Sequence, residues 1–372
     1  MLFIAELLAA LAAFLWLAIL LLPWQPCCNN EVLLLSGTAG SDDLSDTTVV
    51  IPARDEAGII GQTLAALAGQ GPGLRVLLVD DSSTDGTAEV ARAVPGLNLG
   101  VISGQPLPEG WSGKVWALEQ GVRQVDTPLT LMIDADVDLA PGVVAALKAQ
   151  MRRGGYQFVS VMASLSMRSF WEKVLNPSFI YFFKMLYPFR LAKTNNPHFY
   201  SAAGGCIMLE TRVLSAIGGM ASIRGELIDD CALAREVKRA RFRTWIGQSR
   251  AVCSLRTYQG LGDIWNMVAR SAFTQLRYSL LILLLTTFFI VTLFLVPIAS
   301  WAAAARQVQV LGLLAWAMMI ASYLPTLHFY GLSLLWALLL PLVGVLYAGM
   351  TWSSALRYWR GERSRWKGRV YR

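Results

Sequence analysis

The chain has 372 residues, 55% of them hydrophobic, and a formal net charge of +7. It is too apolar for an ordinary soluble enzyme and long enough for one large domain with additions. Seven basic residues (Arg357, Arg360, Arg363, Arg365, Lys367, Arg369 and Arg372) against Glu362 alone carry almost all of the excess charge, so it is a tail and not the basic face of a nucleic-acid-binding domain.

The first 22 residues hold one charge, Glu6, in a run long enough to span a bilayer. No basic stretch precedes it and Leu21-Leu22-Pro23-Trp24-Gln25-Pro26 is a poor cleavage site, so residues 1–24 read as a retained transmembrane helix and not a cleaved signal. Residues 25–46 read as a polar linker. Cys27-Cys28 beside the span are either acylation sites or ordinary small apolar residues. The five cysteines show no C-x-x-C pair and the chain has two histidines, which argues against zinc and for a reducing, cytosolic middle region.

An alternating βα pattern then fills residues 47–260. Strands are predicted at 47–52, 74–80, 97–102 and 129–134, with helices at 56–68, 87–94 and 114–125 and a further helix opening at Pro141. Such alternation implies a mostly parallel, doubly wound α/β sheet with flanking helices. Residues 168–200 interleave aromatic and basic side chains, which suits either a membrane interface or a core helix. Residues 261–278 read as one interfacial helix, and 279–356 as two or three transmembrane helices with a break near Pro325 and Gly331. Residues 357–372 form the basic tail.

Five motifs carry the chemistry. The apolar run Leu131-Met132-Ile133 ends in Asp134-Ala135-Asp136, two carboxylates leaving a buried strand where ligands of open α/β sheets bind. Hard oxygen ligands at this spacing suit Mg²⁺ or Mn²⁺, with a nucleotide's phosphates completing the shell; taken alone, the same pattern is a common polar turn. The first strand ends in Pro52-Ala53-Arg54-Asp55-Glu56, either a nucleoside-binding edge or a helix-capping turn. The second ends in Asp80-Asp81-Ser82-Ser83-Thr84-Asp85-Gly86-Thr87, where capping accounts for Asp85 but not for Asp80 and Asp81. Gly110-Trp111-Ser112-Gly113-Lys114 sets backbone and ammonium at a helix start, as phosphates require, without Walker A spacing. Asp229-Asp230 opens an amphipathic helix, and N-capping explains one of the two carboxylates.

In this order the motifs resemble those of the family 2 glycosyltransferases over about residues 47–260, which implies a GT-A fold. By that resemblance Pro52, Arg54, Glu56, Asp80, Asp81, Lys114 and Asp134 are nucleotide-sugar contacts, Asp136 and Asp134 the metal site for Mg²⁺ or Mn²⁺, and Asp230, with Asp229 beside it, the catalytic base. Asp229 stands where the family has Glu. The Gln-x-x-Arg-Trp motif of processive synthases is missing; Gln275-Leu276-Arg277-Tyr278 is one residue short. The Trp-Ser-Gly-Lys loop and the span arrangement are most similar to the hopanoid-associated glycosyltransferases.

The resemblance implies a metal-dependent, inverting, hexosyltransferase-type enzyme of the inner membrane. It would move a sugar from a nucleotide-sugar, by default a UDP-sugar, to a lipid hydroxyl, with a cytoplasmic catalytic domain and no nucleic-acid partner. Transfer to a polyprenyl phosphate, which needs little base, is the alternative chemistry. A silent membrane scaffold and a transporter are rivals of other classes; occupied acidic positions argue against the first, and spans without buried charge against the second. Three full C-terminal crossings would put the basic tail outside, against the positive-inside tendency. An even number is therefore expected after the domain, with Pro325, His328 and Gly331 marking a re-entrant turn or one apolar segment lying in the interface.

Overall fold

A computed structural model describes residues 2–35, 42–362, 364–366 and 369–371. Eight strands form one sheet: β1 (Thr47–Ala53), β2 (Arg75–Asp80), β3 (Asn98–Ser103), β4 (Leu129–Ile133), β5 (Val137–Leu139), β6 (Phe158–Ser164), β7 (Cys206–Glu210) and β8 (Thr244–Ser254). Their order is β3-β2-β1-β4-β7-β6-β8-β5. The expected parallel pairing holds for β1 through β4 and for β6 with β8, whereas β7 and β5 run antiparallel to their neighbours. This is the GT-A arrangement of a mostly parallel sheet with helices on both faces.

The strands alternate between two cores, as the pleat dictates. Val49, Ile51, Leu131 and Ile133 enter one, and Val50 and Met132 enter the other. Position 134 thereby continues the parity of Met132, on the face covered by the helices Gly113–Val122 and Asp229–Arg239.

Several boundaries differ from expectation, each for a local reason. The helix expected from Glu56 begins at Ile60, because residues 55–57 are held in a turn. The helix expected to open at Pro141 starts at Val143, behind Gly142 at φ +86°. The single helix expected over 261–278 is two, Leu261–Ala269 and Ala272–Gln275, and ends where Arg277 and Tyr278 take positive φ. Pro325 does not break its helix; it lies inside Arg306–Phe329, and the chain turns at Gly331, φ +67°.

Four described helices are long and apolar enough to cross a membrane: Leu2–Leu21, Leu280–Ala302, Arg306–Phe329 and Leu334–Trp359. The aromatic helix Phe170–Leu186 starts at a capping box, Ser169 with Glu172, and joins them to the domain. Its Ser178 hydroxyl meets Tyr323 at 2.8 Å, Tyr181 meets Ser322 at 2.7 Å, and Tyr347 donates to the Leu175 carbonyl at 2.9 Å. Buried bonds of this kind contribute about 1 kcal/mol each and leave severe penalties when broken.

The last turn of Leu334–Trp359 returns to the domain side. Ser354 accepts from Phe273 N–H at 3.0 Å, Arg357 donates to Asn266 at 2.6 Å, and Tyr358 stacks on Tyr278 at 4.4 Å. The expected linker is fastened at both ends: Leu33 N–H donates to the Gln248 carbonyl at 3.0 Å, and Lys148 reaches Asp46 at 2.6 Å. Residues 36–41 of that linker and Arg363, Lys367, Lys367's neighbour Gly368 and Arg372 of the tail lie outside the described residues. Ser364–Trp366 and Arg369–Tyr371 pair as two antiparallel strands.

Candidate active site

The C-terminal ends of β1 and β2 lie side by side, with Ala53 paired to Asp80. Each strand leaves through a non-glycine residue in the left-handed region, Asp55 at φ +50° and Ser82 at φ +58°. The two turns hold each other in these conformations. Ser83 Oγ accepts from Asp55 N–H at 3.0 Å, Asp55 Oδ1 from Thr84 N–H at 2.9 Å, Asp85 Oδ2 from Ala57 N–H at 2.9 Å, and Thr87 Oγ1 from Glu56 N–H at 2.8 Å. Asp80 accepts from Ser83 N–H at 3.0 Å. Asp81 is buried, with the Arg54 guanidinium 3.7 Å from its carboxylate and donating to its carbonyl. The acidic residues of these turns thus first shape the rim of the site.

A cleft opens beside this rim, lined by Pro52, Lys114, Asp134, Gly204, Asp229 and Asp230 over an apolar floor that includes Met132 and Leu233. Lys114, in the first turn of its helix, is held 2.9 Å from Asp134 and 3.2 Å from Asp229. Burial opposes its charge, but the Asp134 and Asp229 carboxylates override that and hold the ammonium well above the ordinary lysine range. Burial raises Asp134 despite Lys114, with repulsion from Asp136 adding to the shift.

Asp230 occupies the end of the cleft. Gly204 N–H donates to its Oδ2 at 2.8 Å and Cys231 N–H to its Oδ1 at 2.7 Å, fixing the carboxylate while leaving a lone pair on each oxygen. Burial, then the neighbouring Asp229, pushes its pKa up to about 6. That range suits a general base at neutral pH. A Cβ on Gly204 would stand 3.2 Å from Lys114 Nζ and 3.4 Å from Asp230 Oδ2, so this close backbone approach favours glycine.

The two aspartates of Asp-x-Asp face different partners. Asp134 turns to Lys114, whereas Asp136 Oδ2 lies 2.8 Å from Arg256 Nε. The same guanidinium reaches Glu56 at 3.2 Å. Arg256 therefore ties the expected metal site to the expected nucleoside edge, and no motif in the sequence marks it; its one signal is a basic residue just past the last strand. Gly204 lies within the small-residue run Ala202-Ala203-Gly204-Gly205, and Tyr187, bonded to Gln275, is close to Cys231 and Asp230. Neither was anticipated.

Among the described residues no group of three or more His, Cys, Asp or Glu is placed to hold a metal ion alone. The donor set fits a shared ion instead. Asp136 and Asp134 supply hard carboxylate oxygens, and the Arg256 side chain that neutralises Asp136 is part-exposed.

A mixed α/β sheet with this acidic edge defines a GT-A domain. Residues 48–218 match the family described as Glycosyl transferase family 2. It is similar to the 4,4'-diaponeurosporenoate glycosyltransferases of Staphylococcus aureus strains USA300 and NCTC 8325, each 37% identical over 90 residues, which is 24% of this chain and 24% of each relative. The aligned stretch is thus about a quarter of the length of the curated relatives. The fold is similar to that of the mannosyltransferase PcManGT from Pyrobaculum calidifontis, solved with GDP-Man and Mn2+, at 16% identity and TM-score 0.58 over 96% of this chain and 100% of that one.

Proposed function

We propose that the protein is a membrane-bound, inverting glycosyltransferase that moves a hexose from a nucleoside diphosphate sugar to a hydroxyl of a membrane lipid. The observation that carries this is the cleft in which Lys114, Asp134, Asp229 and Asp230 converge at the strand ends, beside the helix that joins the domain to the apolar helices. Asp230 takes the acceptor's proton as its oxygen attacks the anomeric carbon from the face opposite the leaving group. The anomeric C–O bond breaks, and its electron pair leaves on the nucleoside diphosphate. Lys114 stabilises that developing charge, while Glu56, Asp80, Asp81 and Arg54 shape the nucleoside edge. Asp136 and Asp134 would hold Mg²⁺ or Mn²⁺ with the diphosphate, and such an ion neutralises charge on the leaving group.

UDP-sugars are the donor class expected from the motif resemblance, and a hopanoid is one acceptor that fits it. The names of the Staphylococcus relatives support a lipid-like acceptor. A base near pKa 6 favours a hydroxyl over a polyprenyl phosphate, whose oxygen is already ionised. Incubating membranes containing the protein with a panel of nucleotide sugars, followed by lipid mass spectrometry, tests the proposal: a hexose-mass adduct on a hydroxylated lipid is expected. Modification of polyprenyl phosphate alone would replace it with the alternative chemistry, and no adduct with any donor would overturn it.

A further inference from the structure

A second cleft lies away from the catalytic one, between the end of the first apolar helix and the domain. Trp24, Gln25, Asn29, Lys184, Arg190 and Gln248 line it. Lys184 is 2% exposed, yet its ammonium meets only neutral acceptors: Asn29 Oδ1 at 2.6 Å, Thr326 Oγ1 at 3.4 Å and the Cys28 carbonyl at 3.5 Å. Arg190 likewise donates to the Pro23 carbonyl at 3.2 Å and Gln25 Oε1 at 3.1 Å. Neither cation has a carboxylate within ion-pair reach among the described residues. Glu31, the acid lining this cleft, is taken by Lys193 at 2.5 Å and Trp245 Nε1 at 3.0 Å.

Two features ask for a ligand. A buried ammonium without a counter-charge is costly, and burial pulls Lys184 down to about 8. Gln248 is 1% exposed and its Oε1 has no hydrogen-bond partner among the described residues. The place narrows the ligand. Helix Leu2–Leu21 ends just before Trp24, and Asn29 donates to the carbonyl of Pro325, close to the end of Arg306–Phe329. Two bilayer-length apolar helices therefore finish at this cleft, with the part-exposed Trp24 lining it, as at a headgroup layer.

We propose that this cleft binds the phosphodiester headgroup of a membrane phospholipid, its phosphate between Lys184 and Arg190 and a headgroup hydroxyl or ammonium donating to Gln248. Bound lipid would fasten the first helix to the domain and set the depth of the catalytic cleft. None of these residues takes part in the sugar-transfer scheme, so the two readings stand or fall separately.

The full chain in nonionic detergent, stripped of lipid, would be titrated with dihexanoyl phosphatidylglycerol and bound lipids counted by native mass spectrometry. One saturable lipid per chain is expected. Arg190→Gln, at an exposed position that leaves the fold intact, should weaken it by about tenfold, the scale of one charge-assisted contact. Lys184→Gln with Arg190→Gln should abolish it, thermal melting reporting whether that variant folds. Dihexanoyl phosphatidylcholine, whose headgroup carries no N–H or O–H donor for Gln248, should bind less tightly, and excess inorganic phosphate should not displace the lipid. Unchanged binding in Arg190→Gln, equal binding of the choline ester, or displacement by inorganic phosphate would each overturn the proposal.

Discussion

Arg256 Nε lies 2.8 Å from Asp136 Oδ2, across a sequence distance that no motif spans. The loop after β8 thereby delivers a cation to the carboxylate expected to bind metal. Asp136 is also held through its backbone, since its carbonyl accepts from Leu255 N–H at 2.7 Å.

Because the guanidinium occupies Asp136, it competes with any divalent ion there. Arg256→Ala should tighten Mn²⁺ binding in the absence of nucleotide by about tenfold, equivalent to ~1.4 kcal/mol. Electron paramagnetic resonance of free Mn²⁺ measures this directly. Unchanged or weaker Mn²⁺ binding would show that Arg256 supports the ion site.

Asp230→Asn keeps the shape of the side chain and removes its basicity. Donor binding by calorimetry should be retained while transfer falls roughly 10²–10⁴-fold. In the wild type the raised pKa means that the active, ionised form is lost as pH falls through about 6. The kcat/KM profile should rise with pH through that region and level off above it, and a flat profile from pH 5 to 8 would remove Asp230 as the base.

Lys114→Met should destabilise the domain by roughly 1–3 kcal/mol, because it leaves two part-buried carboxylates uncompensated. Adding Asp134→Asn should recover part of that loss in urea unfolding, since one of the stranded charges disappears. Additive losses would mean that the 2.9 Å pair is energetically silent.

The end of helix Leu334–Trp359 packs on residues 266–278, beside the start of Leu280–Ala302. A cysteine placed at Glu362 in a background without the five native ones should therefore resist an impermeant maleimide in intact cells and react after permeabilisation. Labelling of intact cells would place the C-terminal end outside and require three full crossings.

The strand pattern and its consequences were legible in the sequence. Continuous apolar runs at Val49–Ile51 and Leu131–Ile133 mark strands buried on both faces, and the pleat fixes that Asp134 shares the side of Met132. The acidic strand ends were equally visible, because hydrophobicity and turn chemistry are local. Pairing is not local. Whether Lys114 meets Asp134, Asp229 or a phosphate, and whether Arg256 reaches Asp136, depends on how segments far apart in the chain pack. The same holds for Pro325, which reads as a break but sits, half-buried, within a continuous helix, and for β7, whose reversed direction no periodicity encodes. Sequence period determined which residues lie at the C-terminal ends of the strands; long-range packing decided which charges face one another, because a hydrogen bond or contact ion pair forms only when its two groups are brought within a few ångströms.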